Sequence, residues 1–309
     1  MSKRRSLLAD YAAYLGVRVL VCLLQALSLP AARKVAGLVA WLAYHVDRRH
    51  RLVALDNLRH AFPGQYSEAE LDQLVRSVYR HFCNLIVEIS HLPRKLHTHN
   101  WRRYVDAQDG RLFVDCLLSG RPLLIVTGHF GNWELASYVL GLLGFSSYAV
   151  ARELDNRYLE RFLRRFRQKT GQTILAKKGD FEQMQAILAG GGVIGMLADQ
   201  DAGSRGQFVE FFGRPASTHK AVALLSLEFR VPVLVVGMPR VGEPMRYRQI
   251  CADLILPEEF DGRPEAVKAI TQRYSSALER LVRAAPEQYL WLHRRWKHQP
   301  PLKKSKRAA

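Results

Sequence analysis

Leu123-Leu124-Ile125-Val126-Thr127-Gly128-His129-Phe130-Gly131-Asn132-Trp133-Glu134 decides the fold. An apolar run rich in β-formers meets a glycine; a histidine and a second glycine follow, and Asn-Trp-Glu opens an apolar helix. That order is strand, tight turn and helix N-terminus, the place where open α/β sheets bind ligands. Gly128 and Gly131 permit a sharp bend or a close approach to a substrate. Asn132 suits the N-cap, which puts Glu134 in the first helical turn. His129 and Glu134 can meet across such a turn. The carboxylate would hold one ring nitrogen protonated and leave the other free as a base.

Downstream of this turn, helical and strand patterns alternate. A helix over 132–143 leads to a strand over 146–151 and a helix over 156–170 ended by Gly171. A strand (173–175), a helix (180–188) and a strand (193–198) follow. After a long loop come a helix (218–229), a strand (231–238), a polar strand (246–255) and two helices (264–284 and 286–297). The spacing predicts an α/β fold with a mainly parallel sheet flanked by helices. Upstream, Ser67 and Glu70 form a capping box that opens a helix running to about 90, and a short helix covers 111–118.

The N-terminal part is different in kind. Lys3, Arg4 and Arg5 precede an apolar stretch over 7–29, interrupted by Asp10, Arg18 and Gln25. Its length suits a membrane span, although a central Arg18 costs about 2.5–3.5 kcal/mol on insertion scales. Pro30 breaks this segment, and a second apolar stretch covers 35–46. The expected organisation is an anchoring segment (1–46), a catalytic domain (47–298) and a basic tail (299–309). The cationic N-terminus predicts that the domain stays on the cytoplasmic side.

At 309 residues with 48% hydrophobic side chains, the chain can bury a sizeable core. A formal charge of +18 implies an anionic partner: nucleic acid, a membrane surface, a phosphorylated lipid or an acidic carrier protein. No zinc-ligand spacing, RNP-type aromatic motif or basic zipper supports nucleic acid. Cys22, Cys83, Cys116 and Cys251 have no paired spacing and read as reduced thiols in apolar surroundings.

Three predicted strands deliver unusual residues to one sheet edge: His129 with Glu134, then Arg152-Glu153-Leu154-Asp155-Asn156, then Asp199-Gln200-Asp201. Two carboxylates without a nearby His or third acid are too little for a metal site, and no cofactor is called for. The helix after Asn156 carries Arg157, Arg161, Arg164 and Arg165, whose guanidinium groups match phosphate oxygens.

His129-x-x-x-x-Glu134 resembles the signature of the glycerolipid and lysophospholipid acyltransferase superfamily, and G-H-F-G-N-W-E looks like its late lipid A acyltransferase branch. The blocks Phe211–Thr218 and Pro286–Lys297 resemble two further motifs of that branch. The resemblance implies an acyltransferase fold with catalytic His129 and Glu134. It implies Arg152, Arg164 and the block Asp199, Gln200 and Asp201 as substrate-binding residues; Asn132 and Asn156, at the same sheet edge, are expected to bind substrate with them. It also implies acyl carrier protein as donor, with acyl-CoA the alternative, a phosphorylated lipid A precursor as acceptor, and location at the inner membrane. Other acceptors are a mannosylated phosphoinositide or a lysophospholipid. A rival of another class is a non-catalytic anionic-lipid-binding membrane protein, against which the intact H-x-x-x-x-E stands.

The expected reaction is direct. His129 deprotonates a lipid hydroxyl, and the alkoxide attacks the thioester without an acyl-enzyme. Thr127 and Ser137 lack a G-x-S-x-G elbow, so neither reads as a nucleophile. Backbone N–H groups of Gly131 or Asn132 are the expected oxyanion donors.

Overall fold

The protein is described by a computed structural model covering residues 6–107, 110–151, 153–176, 181–242 and 244–300. Four helices come first: α1 (Leu7–Ala26), α2 (Leu29–Val46), α3 (Arg48–Ala61) and α4 (Glu68–Lys95). The short β1 (Val105–Asp106) and α5 (Gly110–Leu118) lead to β2 (Leu123–Thr127). Alternation then runs through α6 (Trp133–Leu142), β3 (Ser147–Ala151), α7 (Arg157–Gln168), β4 (Gln172–Ala176), α8 (Phe181–Ala189) and β5 (Val193–Leu197). A hairpin of β6 (Gln207–Phe211) and β7 (Arg214–Thr218) precedes α9 (Ala221–Phe229) and β8 (Val233–Gly237). β9 (Tyr247–Arg248), β10 (Ile250–Ile255) and α10 (Ala266–Ala284) complete the set.

Six strands form one sheet in the order β10-β8-β2-β5-β3-β4, parallel except for β10. Leu123, Leu124, Ile125 and Val126 are all buried, as a central parallel strand covered on both faces requires. β2 and β5 run in register, Thr127 opposite Leu197, and the Ala198 N–H bonds the Thr127 carbonyl at 3.0 Å. That register positions the site.

Ser67 and Glu70 form the expected reciprocal capping box. The helix they open continues past 90 to Lys95 with Pro93 inside it. Burial of Leu92 and Leu96 on either side holds this last turn in place against the proline's lost hydrogen bond. Residues 207–218 are a hairpin, not a loop. Phe212 (φ 54°) and Gly213 (φ 69°) both take the left-handed conformation that suits a two-residue hairpin turn. Phe212 tolerates it because its ring is buried against Phe62 and Trp291, with the Arg283 guanidinium 4.5 Å from its centre. Thr218 does not open the next helix, contrary to the predicted span 218–229. It ends β7, and the position before α9 is Lys220 without a side-chain cap. Nor do residues 286–297 form a helix: only Pro286–Gln288 makes a single 3₁₀ turn, and the rest is extended or turned.

α1 is about 30 Å long, with a mean hydropathy of 1.8, and exposes Leu8, Leu15, Leu20 and Leu23. Its length and composition are those of a membrane-crossing helix. Pro30 lies in the first turn of α2, where its missing N–H costs nothing. Ala32, Ala36 and Ala40 make a buried small-residue stripe, and α2 packs closely on α4. Cys22 is exposed on α1 rather than buried. Residues 301–309, most of the basic tail, lie outside the described residues.

Candidate active site

His129 and Asp199 each stand two residues beyond the paired Thr127 and Leu197, at the carboxyl ends of adjacent parallel strands. Two chains leaving a parallel sheet side by side put these residues together. His129 Nδ1 lies 2.8 Å from Asp199 Oδ1, and the His129 backbone N–H donates to Asp199 Oδ2 at 2.7 Å. An ionised carboxylate only accepts, so the network assigns the proton to Nδ1 and leaves the lone pair on Nε2. Gly128 is needed here, because a Cβ would stand 3.2 Å from the Asp199 side chain. Gly131 (φ 61°) is needed more strictly, since its Cβ would fall 2.1 Å from the Met238 carbonyl oxygen.

The expected His129–Glu134 hydrogen bond is replaced by the one to Asp199. Glu134 is instead clamped by the two-pronged guanidinium of Arg167, with Nε donating to Oε2 at 3.0 Å and Nη2 to Oε1. Its charge still reaches the histidine. Burial pulls the His129 pKa down, but the charge and hydrogen bond of Asp199, aided by the Glu134 charge, carry it above the ordinary value. Burial works to raise the Asp199 pKa, yet His129 and the positive Arg295 hold it below the usual carboxylate range.

The segment after α10 closes the site. Phe130 and Tyr289 form an antiparallel bridge, with the Gly131 N–H donating to the Gln288 carbonyl (3.0 Å) and the Leu290 N–H to the His129 carbonyl (3.1 Å). The Asn132 N–H donates to the Met238 carbonyl at 2.8 Å. Both backbone donors expected to face an oxyanion are therefore already engaged. Tyr289 is buried beside Asp199, and burial together with that charge raises its pKa well above the ordinary value. Arg295 is buried too, donating to the Ser217 carbonyl and to Thr218 Oγ1, both at 2.6 Å. Burial lowers the His293 pKa, and this imidazole accepts the Asp201 N–H at Nε2 (3.1 Å).

Other expected binding residues have structural partners. Asn132 caps α6 through Leu135 N–H and donates to the Tyr247 hydroxyl. Asn156 caps α7 and donates to the Asp10 carbonyl of α1 at 2.8 Å. Arg164 bonds Glu153 and Glu160, each at 3.3 Å, rather than standing free for phosphate. Asp201 is tied to His298 Nδ1 at 2.6 Å. Gln200 follows Asp199 half-buried, and Arg152 lies outside the described residues. Among the described residues no group of three or more His, Cys, Asp or Glu is placed to hold a metal.

Behind the turn is a cluster invisible in sequence. Glu88 of α4 is fully buried and takes both Nε (2.8 Å) and Nη2 (2.6 Å) of Arg240, along with the Tyr247 hydroxyl. Arg240 in turn exchanges two backbone hydrogen bonds with the Gln288 side chain, at 2.7 and 3.0 Å. Glu88 thereby supports both sides of the His129 turn, through Tyr247–Asn132 on one and Arg240–Gln288 on the other.

A small apolar cavity of about 80 Å³ abuts Trp133, Glu134 and Arg167. A groove of about 410 Å³ between α5 and α6 adjoins it across Phe113 and Leu140.

Replacing Asp199 with Asn is expected to move the acid limb of kcat/KM to lower pH. A base acts deprotonated, so activity rises with pH through its pKa, and losing the carboxylate lowers that pKa. The rate at the plateau falls as well, because an amide can hold the wrong tautomer. An acid limb unchanged in Asp199→Asn would show that His129 is not the titrating group.

The profile of the family described as "Bacterial lipid A biosynthesis acyltransferase" matches residues 1–298. The chain is 26% identical over 255 residues to a lipid A biosynthesis palmitoleoyltransferase of Escherichia coli (strain K12), covering 82% of this chain and 80% of that protein. A lipid A biosynthesis acyltransferase of Shigella flexneri matches to the same extent. A lipid A biosynthesis lauroyltransferase of Escherichia coli (strain K12) is 24% identical over 292 residues, 93% of this chain and 92% of that protein.

Proposed function

Because the chain belongs to the bacterial lipid A biosynthesis acyltransferase family, we propose that it moves a fatty acyl chain from acyl carrier protein to a hydroxyl of a phosphorylated lipid A precursor, with His129 as general base. The observation that carries this reading is the His129–Asp199 pair at adjacent strand ends, with no partner on Nε2 among the described residues. Nε2 takes the proton of the acceptor hydroxyl as its oxygen bonds to the thioester carbonyl carbon. The carbon–sulfur bond then breaks, and the thiolate leaves with the proton from His129. Asp199 stabilises the imidazolium in between, and Glu134 adds its charge while Arg167 fixes its position. With the Gly131 and Asn132 N–H groups engaged, the positive end of α6 serves to stabilise the oxyanion. The apolar space from Glu134 toward α5 suits the donor's acyl chain.

The net charge of +18 suits docking of an acidic carrier protein, since opposite charges steer association. The exposed apolar face of α1 supports residues 1–46 as a membrane anchor, with the domain at the cytoplasmic face of the inner membrane. The test supplies the full-length protein with one acyl chain, as carrier-protein thioester or as CoA thioester, and a diphosphorylated lipid A precursor. Mass spectrometry should show the acceptor heavier by one acyl group, faster from the carrier protein, and less so as salt rises. An unchanged acceptor with both donors would favour the lipid-binding rival.

A further inference from the structure

A groove of about 850 Å³ lies between α1, α4 and α7, away from the His129–Asp199 pair. Ile86 and Ile89 of α4 and Phe162 and Phe166 of α7 give it an apolar lining. Arg18, Arg94, Arg161, Arg165 and Lys169 also line it. Arg18 bonds the Tyr14 hydroxyl and sits over the Phe162 ring, and Arg94 donates to the Gln25 carbonyl; among the described residues neither has an acidic partner.

α7 sorts its cations by face. Arg164 and Arg167 point inward and are paired with Glu153, Glu160 and Glu134. Arg161, Arg165 and Lys169 repeat every four residues, which stacks them on one side of the helix. Among the described residues no carboxylate pairs with any of the three. Like charges at that spacing repel and destabilise a helix. A stripe of this kind over an apolar floor is built for an amphiphile with an anionic head.

We propose that this groove seats the phosphorylated glycolipid acceptor, with phosphate on the Arg161–Arg165–Lys169 stripe and an acyl chain on the apolar floor. Three observations select this occupant. One wall is α1, whose outer face is exposed leucine, so the groove opens where a membrane lipid enters. The volume, about 850 Å³, is within the range of pockets that enclose a drug-sized group, room for a phosphate-bearing head or an acyl chain. And α7 reaches the chemistry directly: Arg167 clamps Glu134, and Phe166 stacks on Tyr138 of α6 at 6.1 Å between ring centres. A lipid held on α7 is thus one helix from the catalytic turn. The choice of acceptor rests on the acyltransferase reading; the groove's preference for a phosphorylated amphiphile does not.

The test measures binding on full-length His129→Ala protein in dodecyl maltoside micelles, so that no turnover intervenes. The probes are diphosphoryl lipid A, its dephosphorylated form and phosphatidylglycerol, followed by native mass spectrometry. Arg161, Arg165 and Lys169 are exposed, so replacing them with Gln leaves the fold unstrained. Arg161→Gln/Arg165→Gln should weaken diphosphoryl lipid A at least tenfold and leave the dephosphorylated form within twofold. Phosphatidylglycerol should bind the unsubstituted stripe at least tenfold more weakly than diphosphoryl lipid A. On the His129 background, the same pair of substitutions should raise KM for the phosphorylated acceptor and leave kcat within twofold. Unchanged diphosphoryl lipid A binding in the double variant would overturn the site. Equal binding and equal loss of phosphatidylglycerol would also overturn it, in favour of a general anionic surface. Because binding is read without turnover, an error in the assigned chemistry leaves the stripe dependence intact and shows only in the transfer assay.

Discussion

Acyl transfer by His129→Ala protein is expected to fall by about 10²–10⁴, the loss typical of removing a positioned general base. The fold should survive. The turn is held by backbone bonds, from the His129 N–H to Asp199 and from the Leu290 N–H to the His129 carbonyl, and alanine keeps both. Asp199 keeps Tyr289 and the charge of Arg295 after the imidazole is gone. Steady-state transfer with circular dichroism on the same sample separates chemistry from unfolding. A folded variant within a few fold of the parent rate would exclude His129 as the base. It would direct attention to His293, the other imidazole near Asp199.

Glu88→Gln is expected to cost about 3–5 kcal/mol of stability, as removing one partner of a buried ion pair does. Arg240 would be left with its guanidinium mostly buried and without a counter-charge. Glutamine preserves the shape, so the effect is electrostatic rather than a cavity. The same change should disturb the site at a distance, because Arg240 holds Gln288 and Tyr247 holds Asn132. Chemical denaturation of the detergent-solubilised protein measures the first effect, and loss of transfer in the still-folded fraction the second. A change below about 1 kcal/mol would mean that Arg240 finds water or another partner, contrary to the strength expected of a buried pair.

What is local in this protein is legible in its sequence. The β2 run, the Asn132 cap and the Ser67–Glu70 box each depend on residues within one turn of one another, and all three are present. The partner of His129 is not local. Glu134 is near in sequence, but Asp199 is near in space because β5 lies beside β2 with Thr127 opposite Leu197. Had strand adjacency been known, counting two residues past each strand would have found the pair. The segment 286–297 is a second case. Its apolar spacing resembles a helix, but Tyr289 and Trp291 are buried and the backbone of Gln288 and Leu290 bonds the His129 turn. Tertiary pairing overrides local pattern there. The arginines of α7 are the third case: sequence marks their number but not their faces, and only the fold shows that Arg164 is paired while, among the described residues, Arg161 and Arg165 have no carboxylate partner.

The bridge between Phe130 and Tyr289 has a consequence for biosynthesis. During translation the His129 turn is made long before the segment around Tyr289 that locks it. At about 5–20 residues per second, the turn waits on the order of ten seconds for that partner. The geometry of the turn is then set only once Tyr289 has been made, and chains cut short before it would carry the His129 turn without its closing bridge.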